Sequence, residues 1–362
     1  MAVTLADVAA RAGVSSATVS RVLNGNYPVA GSTRERVQRA VEELDYVVNG
    51  QARALAAATS DLVGILVNDI ADPFFGLIAS ALQSEIGASD GRPGSGKLAV
   101  VCNTGGSPEA ELTYLTLLER QRAAGVVLTG GAVEDAKHTA AVAARLCRLA
   151  ASGTRIVLCG RPPLSLPDAD ADVTTIAFDN LGGARRLTEH LLSLGHRRIG
   201  YVTGPVERST TRHRLEGHQA ALAAHGLGPD TLAGADAGRL TVHGGYDRAS
   251  GYDAALELLR RGEGVTAIVA ANDTVALGVC AALRERGLRV PDDVSVAGFD
   301  DLPFSVDASP ALTTVRIPLQ DAGARAGRLV MGRLAPPPGG LATVSTELMV
   351  RGSTAPPPHA AR

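Results

Sequence analysis

The sequence predicts an α/β protein in two unequal parts: a small all-α head, then a larger body of two α/β lobes with parallel sheets. Three observations predict it. The first ~60 residues carry helical apolar spacing and no strand pattern. From Leu62 onward, short apolar runs alternate with helix-length amphipathic segments, which means parallel sheets covered by helices. The alternation lasts about 280 residues, long for one sheet, so two lobes are expected.

In the head, Thr4 can cap a first helix, and Asp7 takes the third helical position, where the dipole favours a carboxylate. Leu5, Val8, Ala9 and Ala12 then share one face. Gly13-Val14-Ser15 breaks this helix, because Gly13 tolerates the left-handed conformation of a tight turn. Ser15 can cap a second helix, with Val19, Val22 and Leu23 inward. Ser32-Thr33-Arg34-Glu35 has capping-box spacing and opens a third helix, whose apolar face is Val37, Ala40, Val41 and Leu44.

Such a trio reads either as a helix-turn-helix or as a plain three-helix bundle with a solvated face. In the first reading the second helix exposes Ser16, Ala17, Thr18, Ser20 and Arg21. These are small enough to lie deep in a major groove. Hydroxyls reach phosphates, Ala17 meets a thymine methyl, and Arg21 forks onto guanine.

In the body, the strand-like runs are 62–67, 98–102, 125–129, 155–159, 173–178, 199–203, 267–271 and 294–298. Helical segments include 181–194, 212–225, 252–261 and 274–286. Residues 87–96 read as a flexible loop, 161–172 as a Pro- and Asp-rich connection, and the chain from Ala355 as an irregular tail.

Ligands of open α/β sheets bind beyond the carboxyl ends of strands. Asp72-Pro73-Phe74-Phe75, Arg208, Thr210, Arg214, Asn272, Asp273, Asp300 and Asp301 fall at such places. An Arg with Asn and Asp on one cleft suits a polyhydroxylated ligand. The chain has no Trp, so Phe74, Phe75 and Tyr246 stand out as stacking platforms. Equally, Asn272 and Asp273 can simply cap a helix, Asp300 can be a turn residue, and Arg212 or Arg214 a solvated charge.

The formal net charge of -2 gives a nucleic-acid reading no support, and the first 58 residues are themselves nearly balanced. Cys102, Cys147, Cys159 and Cys280 are scattered, which fits a reducing compartment and neither a disulfide framework nor a zinc site. No signal pattern and no bilayer-length apolar run are evident, so a cytoplasmic protein without membrane contact is expected. No cofactor and no metal are expected. His213 and His218 lack metal-site spacing, and the histidines should lie mainly at the surface or at helix ends.

Gly91-Arg92-Pro93-Gly94-Ser95-Gly96-Lys97 has phosphate-loop spacing, but Leu98 follows where a hydroxyl belongs, and the loop precedes a strand. Gly87-Ala88-Ser89-Asp90-Gly91 lacks the strand before it that a nucleophile elbow needs.

Thr4-Leu5-Ala6-Asp7-Val8-Ala9, Ala12-Gly13-Val14-Ser15 and Ala17-Thr18-Val19-Ser20-Arg21-Val22-Leu23-Asn24 closely resemble the head of the lactose/galactose repressor (LacI/GalR) family. So do Thr33-Arg34-Glu35-Arg36-Val37 and Leu44-Asp45-Tyr46. The resemblance continues through Phe178-Asp179-Asn180, Gly195-His196-Arg197-Arg198-Ile199, Arg214-Leu215-Glu216-Gly217, Ala271-Asn272-Asp273, Gly298-Phe299-Asp300-Asp301, Leu312-Thr313-Thr314-Val315 and the stretch from Leu348 to Thr354.

The resemblance implies a helix-turn-helix DNA-binding domain at 1–47 and a hinge helix at 48–59. It implies a periplasmic-binding-protein-like, effector-binding and dimerising domain at 60–355, and leaves 356–362 as a disordered tail. The N-lobe would take about 60–177 and 316–346, and the C-lobe about 178–315 and 347–355, with three strands crossing between them. Ser16, Ala17 and Arg21 would read bases. Thr4, Ser15, Thr18, Asn24, Thr33 and Asn49 would contact backbone or position the head, beside Ser20. Ala30 stands where many relatives carry a phosphate-holding Ser.

Asn49-Gly50-Gln51-Ala52-Arg53-Ala54-Leu55-Ala56 resembles the family's hinge helix. So short a helix is marginal alone and can form when two copies pack on DNA. Ala52 and Leu55 would face the duplex, Leu55 as an apolar wedge in the minor groove; otherwise Leu55 is a linker leucine packed on the sensor.

In the sensor, Arg214, Asn272 and Asp300 match the family's effector positions, and Phe75, Thr210 and Tyr246 its variable walls. Gly160 departs from sugar-responsive members, many of which have Asp there, while Arg208 and Thr210 resemble purine-responsive ones. A sugar effector is the first expectation and a purine-like base the second. The whole implies a ligand-gated repressor, a homodimer on pseudo-palindromic double-stranded DNA. Two other classes compete. A transport solute-binding protein would have no use for the head, and a Rossmann enzyme would need glycines after the first strand, where Val67-Asn68-Asp69 stands.

Overall fold

The computed structural model describes residues 3–24, 28–46, 60–88, 96–166, 173–227 and 239–358. It divides into two compact units, Met1–Ser60 and Asp61–Arg362.

In the first unit, α1 (Leu5–Ala12) opens with a reciprocal capping box: Thr4 Oγ1 accepts from Asp7 N at 3.4 Å, and Asp7 Oδ2 accepts from Thr4 N at 2.8 Å. The bond from the Thr4 hydroxyl holds the Asp7 carboxyl below its ordinary value. Gly13 ends the helix at φ 66°, as its place in the turn requires. Ser15 Oγ accepts from Thr18 N at 3.2 Å and so caps α2 (Ser16–Asn24).

The capping box expected at Ser32 is corrected. Helix α3 (Gly31–Glu43) has Ala30 at its N-cap with no side-chain bond, and the Ala30 carbonyl accepts from Thr33 N and Arg34 N at 3.0 Å each. The backbone thus starts the helix ahead of the hydroxyl, and Ser32 lies inside the first turn. Val8, Val19 and Val37, one from each helix, are fully buried and meet in the centre. Each contributes about 2 kcal/mol by leaving water.

The second unit begins with β1 (Leu62–Val67), α4 (Pro73–Gly87), β2 (Leu98–Asn103), α5 (Pro108–Arg120), β3 (Gly125–Thr129), α6 (Ala136–Ala151), β4 (Arg155–Cys159) and β5 (Val173–Phe178). It continues with α7 (Asn180–Ser193), β6 (Ile199–Thr203), α8 (Ser209–Ala224), β7 (Thr241–His243), α9 (Arg248–Arg261), β8 (Ala267–Ala270), α10 (Asp273–Glu285) and β9 (Ser295–Ala297). The last elements are α11 (Phe304–Asp307), β10 (Thr314–Arg316), α12 (Leu319–Val330), β11 (Leu341–Val344) and β12 (Glu347–Met349).

Two parallel sheets carry the lobes. The N-lobe sheet runs β11-β5-β4-β3-β1-β2 and the C-lobe sheet β7-β6-β8-β9. In β1, Val63, Ile65, Leu66 and Val67 are all buried, as a strand covered on both faces must be. The chain passes between lobes after β5, after β10 and after β11. Helix α12 packs on α4, and β12 returns to pair antiparallel with β10.

His138, in the first turn of α6, and His196 and His218 are buried. His218 stacks on Tyr201 at 4.7 Å and meets Thr188 Oγ1 at 2.9 Å, and burial pushes its pKa down to about 4. Ala355 N donates to Ser295 Oγ at 3.0 Å, and its carbonyl accepts from His196 Nε2 at 2.8 Å. Ala355, where composition suggested the tail begins, is thus bonded to the C-lobe; residues 359–362 lie outside the described ones.

Candidate functional site

The head presents one polar face. Ser16, Ala17 and Arg21 are exposed on α2, Thr18 and Ser20 are half-buried beside them, and Val19 on the opposite side is fully buried. Ala17 with Arg21 and Ser16 with Ser20 stand four apart, so they stack on one helix surface. Ser15 Oγ and Thr18 Oγ1 lie 2.9 Å apart at the start of α2. Thr4 is exposed with its hydroxyl engaged by Asp7, Thr33 is half-buried in the first turn of α3, and Asn24 is the last residue of α2. Asn49, Ala52 and Leu55, with the rest of the expected hinge at 48–59, lie outside the described residues.

In the body, a cleft of about 450 Å³ opens beyond the carboxyl ends of both sheets. Phe74, Phe75, Arg208, Thr210, Arg214, Tyr246, Asn272 and Asp300 all line it. The N-lobe wall is aromatic: the Phe74 and Phe75 rings meet edge to face at 5.0 Å, and Phe74 and Phe178 at 6.3 Å. Two glycines make room for these rings. A Cβ on Gly130 (φ 73°) would fall 2.7 Å from Phe75, and one on Gly160 (φ 85°) would fall 2.8 Å from Phe178. The side chain absent at Gly160 is thus replaced by a ring.

The C-lobe wall is charged. Arg214, on α8, donates from Nε to Asn180 Oδ1 at 2.8 Å, from one terminal nitrogen to the Ala271 carbonyl at 2.5 Å, and from the other to Asp300 Oδ1 at 2.8 Å. Its guanidinium lies 3.7 Å over the Phe299 ring. Burial pushes the Asp300 carboxyl up to about 6, with Asp72 adding to the rise and Arg214 opposing it. Burial also raises Asp72, whose Oδ1 accepts from Phe74 N at 3.0 Å.

Asn272 does two jobs. It caps α10 through Val275 N at 2.8 Å and it faces the cleft. Tyr246 Oη and Thr211 Oγ1 are 2.6 Å apart, and burial raises the phenol. The reading of the strand ends missed Thr274, whose hydroxyl is buried at the cleft without a partner among the described residues. Asn180 was likewise not singled out as a binding group, although it lines the cleft, as does Asp72, which the strand-end reading had placed there.

The lobes are also fastened beside the cleft. Arg208 donates to the Gly106 carbonyl at 2.5 Å and the Gly131 carbonyl at 3.4 Å. Ala132 N donates to Ser209 Oγ at 3.0 Å, Ser209 N to the Ala132 carbonyl at 3.0 Å, and Glu134 N to the Glu207 carbonyl at 2.8 Å. Arg212 clamps Glu134 at 2.8 Å. These bonds form a clasp between residues 131–134 of the N-lobe and 207–212 of the C-lobe.

Of the suspected phosphate loop, residues 91–95 lie outside the described ones. Lys97 Nζ binds Asp61 Oδ1 at 3.3 Å, and Leu98 opens β2. Among the described residues no group of His, Cys, Asp and Glu could hold a metal ion. No helix among them is long and apolar enough to cross a membrane.

A turn-linked helix pair with a small polar face, followed by a two-lobed α/β body with a cleft, defines a DNA-binding regulator that carries a ligand-sensing body. Comparison with known proteins places it further. Residues 4–49 match the family model for bacterial regulatory proteins of the lacI family, and residues 188–354 match that of a periplasmic binding protein-like domain. The HTH-type transcriptional regulator GalR of Escherichia coli (strain K12) is 34% identical over 328 residues, 91% of this chain and 88% of that one. The lac repressor dimer bound to operator and the anti-inducer ONPF superposes with a TM-score of 0.76 at 28% identity, over 98% of this chain and 100% of that one. The transcriptional regulator CelR–cellobiose complex gives a TM-score of 0.66 at 33% identity, over 97% and 99%. The chain belongs to the LacI family of bacterial regulatory proteins: it is a helix-turn-helix transcriptional regulator and not an enzyme.

Proposed function

We propose that the chain acts in the cytoplasm as a homodimeric repressor whose grip on a pseudo-palindromic operator is set by a sugar bound in the cleft. The observation that carries this reading is the opposition of two walls. The Asn180–Arg214–Asp300 array and Thr274, whose hydroxyl has no partner among the described residues, line a cleft walled by Phe74 and Phe75. A sugar offers hydroxyls to the charged wall and a C–H face to the rings. The cellobiose complex of CelR and the operator-bound lac repressor dimer support the same reading.

In this reading α2 enters the major groove, with Ser16, Ala17 and Arg21 on base edges and Thr4, Ser15, Thr18, Ser20, Asn24 and Thr33 toward the backbone. The expected hinge, 48–59, lies outside the described residues; its proposed role is contact with the operator, Asn49 toward the backbone and Ala52 and Leu55 toward the minor groove.

The test is calorimetry of the full chain against a panel of mono- and disaccharides, cellobiose among them, and of purine bases, followed by footprinting on genomic fragments with and without the binder. Saturable binding of a sugar that shifts the footprint is expected. A purine as sole binder overturns the sugar reading, and the absence of any preferred site overturns the operator reading.

A further inference from the structure

A second cavity, of about 590 Å³, lies in the N-lobe back to back with the cleft. Gly131 and Gly160 face the cleft, while their neighbours Ala132 and Arg161 face the cavity. Its volume is within the usual range of small-molecule sites. Val133, Ala140, Ala143, Leu158, Pro163 and Leu164 give it a chiefly apolar wall.

One end is polar and deeply buried. Arg161 donates to Glu111 Oε1 at 3.0 Å and through its other terminal nitrogen to Oε2, while His138 Nε2 meets Oε1 at 3.3 Å. Only 5% of Arg161, 4% of Glu111 and 8% of His138 is exposed. Burying such a trio is costly, and the Arg161 Nε still has no partner among the described residues. An apolar chamber closed by an incompletely satisfied ionic end is the chemistry of a ligand pocket rather than of a filled core.

We propose that this cavity is a second small-molecule site, distinct from the cleft, for a one- or two-ring aromatic molecule bearing a single hydroxyl or carboxylate. The ring packs on the apolar wall and the substituent turns toward Arg161 and His138. The site is coupled to lobe closure through shared backbone. Ala132, Val133 and Glu134 form one wall, and the same residues carry the clasp to Glu207, Ser209 and Arg212. A molecule that orders this segment favours the clasped arrangement of the lobes and so alters affinity in the cleft.

The test uses the full chain and 4-fluorophenol as probe, read by fluorine NMR line broadening. Saturable broadening is expected. Ala136→Trp and Ala140→Trp, at exposed positions of α6 on the cavity rim, should each weaken it at least tenfold, whereas Asn272→Ala in the cleft should leave it unchanged. Hydrogen exchange at the amides of Ala132, Glu134 and Ser209 should slow when the probe is added. No saturable broadening, full binding in both tryptophan variants, or its loss in Asn272→Ala overturns the proposal. None of these readouts needs DNA or a sugar, so this proposal and the sugar reading fail separately.

Discussion

Arg214 is the residue on which the charged wall turns. It points three donors at three different acceptors and lays its flat face on Phe299, a geometry only a planar fork can satisfy. Arg214→Lys keeps the charge and loses the fork, leaving Asn180 and Asp300 to reorient. Affinity for the cleft ligand should fall at least ~10-fold, about 1.4 kcal/mol, by calorimetry; unchanged affinity would show that the fork does not organise the wall. Asp300 makes a pH prediction. Its carboxyl sits near 6 in the folded state against an ordinary 3.8, so the folded chain binds the proton more tightly than the unfolded one. That contribution is complete below pH 3.8 and is lost as pH rises through about 6. His218, pushed down to about 4, acts in the opposite sense over the same interval: its folded state is penalised as pH falls. The clean readout is therefore a difference. The stability of the wild type minus that of Asp300→Asn should decline from pH 4 to pH 7 in denaturant titrations, and a flat difference would sink the assignment. The strand-end rule found Arg214, Asn272 and Asp300. It also placed Asp72 at a strand end, but it could not find Thr274, because a helix-start hydroxyl looks the same whether its remaining capacity faces solvent or a cleft.

At the scale of elements, helices α9 and α10 cross on two glycines. A Cβ on Gly251 would come 2.2 Å from the Val275 carbonyl oxygen, and one on Gly278 would come 2.1 Å from that of Arg248. Backbone cannot step aside as a side chain can. Gly278→Ala should therefore cost about 1–3 kcal/mol in urea denaturation, with ligand binding recovered once the protein is folded. A cost within experimental error would mean that the helices separate freely. Long apolar strands such as β1, β3, β4, β5 and β6 were legible because both of their faces are covered, and their runs match the observed bounds. Strands β7, β10, β11 and β12 were not. They are three or four residues long, and residues such as Thr241, Arg316, Thr343 and Glu347 interrupt their apolar character. The paired crossing strands β10 and β12 owe their place to each other and to the neighbouring sheets, which no local pattern records. Ala30 teaches the same lesson in the head: a capping-box spacing at Ser32 yields to a backbone that starts the helix two residues earlier.

At the scale of the molecule, the cleft takes its walls from both lobes, Phe75 from one and Arg214 from the other, and the chain passes between those lobes at three places. A ligand that touches both walls has different affinities for different lobe arrangements, and only that difference can do work on the DNA-binding end. If a sugar in the cleft changes operator affinity, as proposed, the coupling is symmetric: the operator changes sugar affinity by the same factor. This is measurable by titrating sugar into the free protein and into its operator complex, and operator into the free protein and into its sugar complex. The two ratios should agree within error. Leu55→Ala sharpens the test. If Leu55 is the wedge that bends the operator, the variant should weaken operator binding and reduce the bend while the DNA-free protein binds sugar as before. Ratios that disagree would mean that a second equilibrium, such as dissociation of the dimer, lies between the two sites. Unchanged operator affinity and bend in Leu55→Ala would rule out the wedge role.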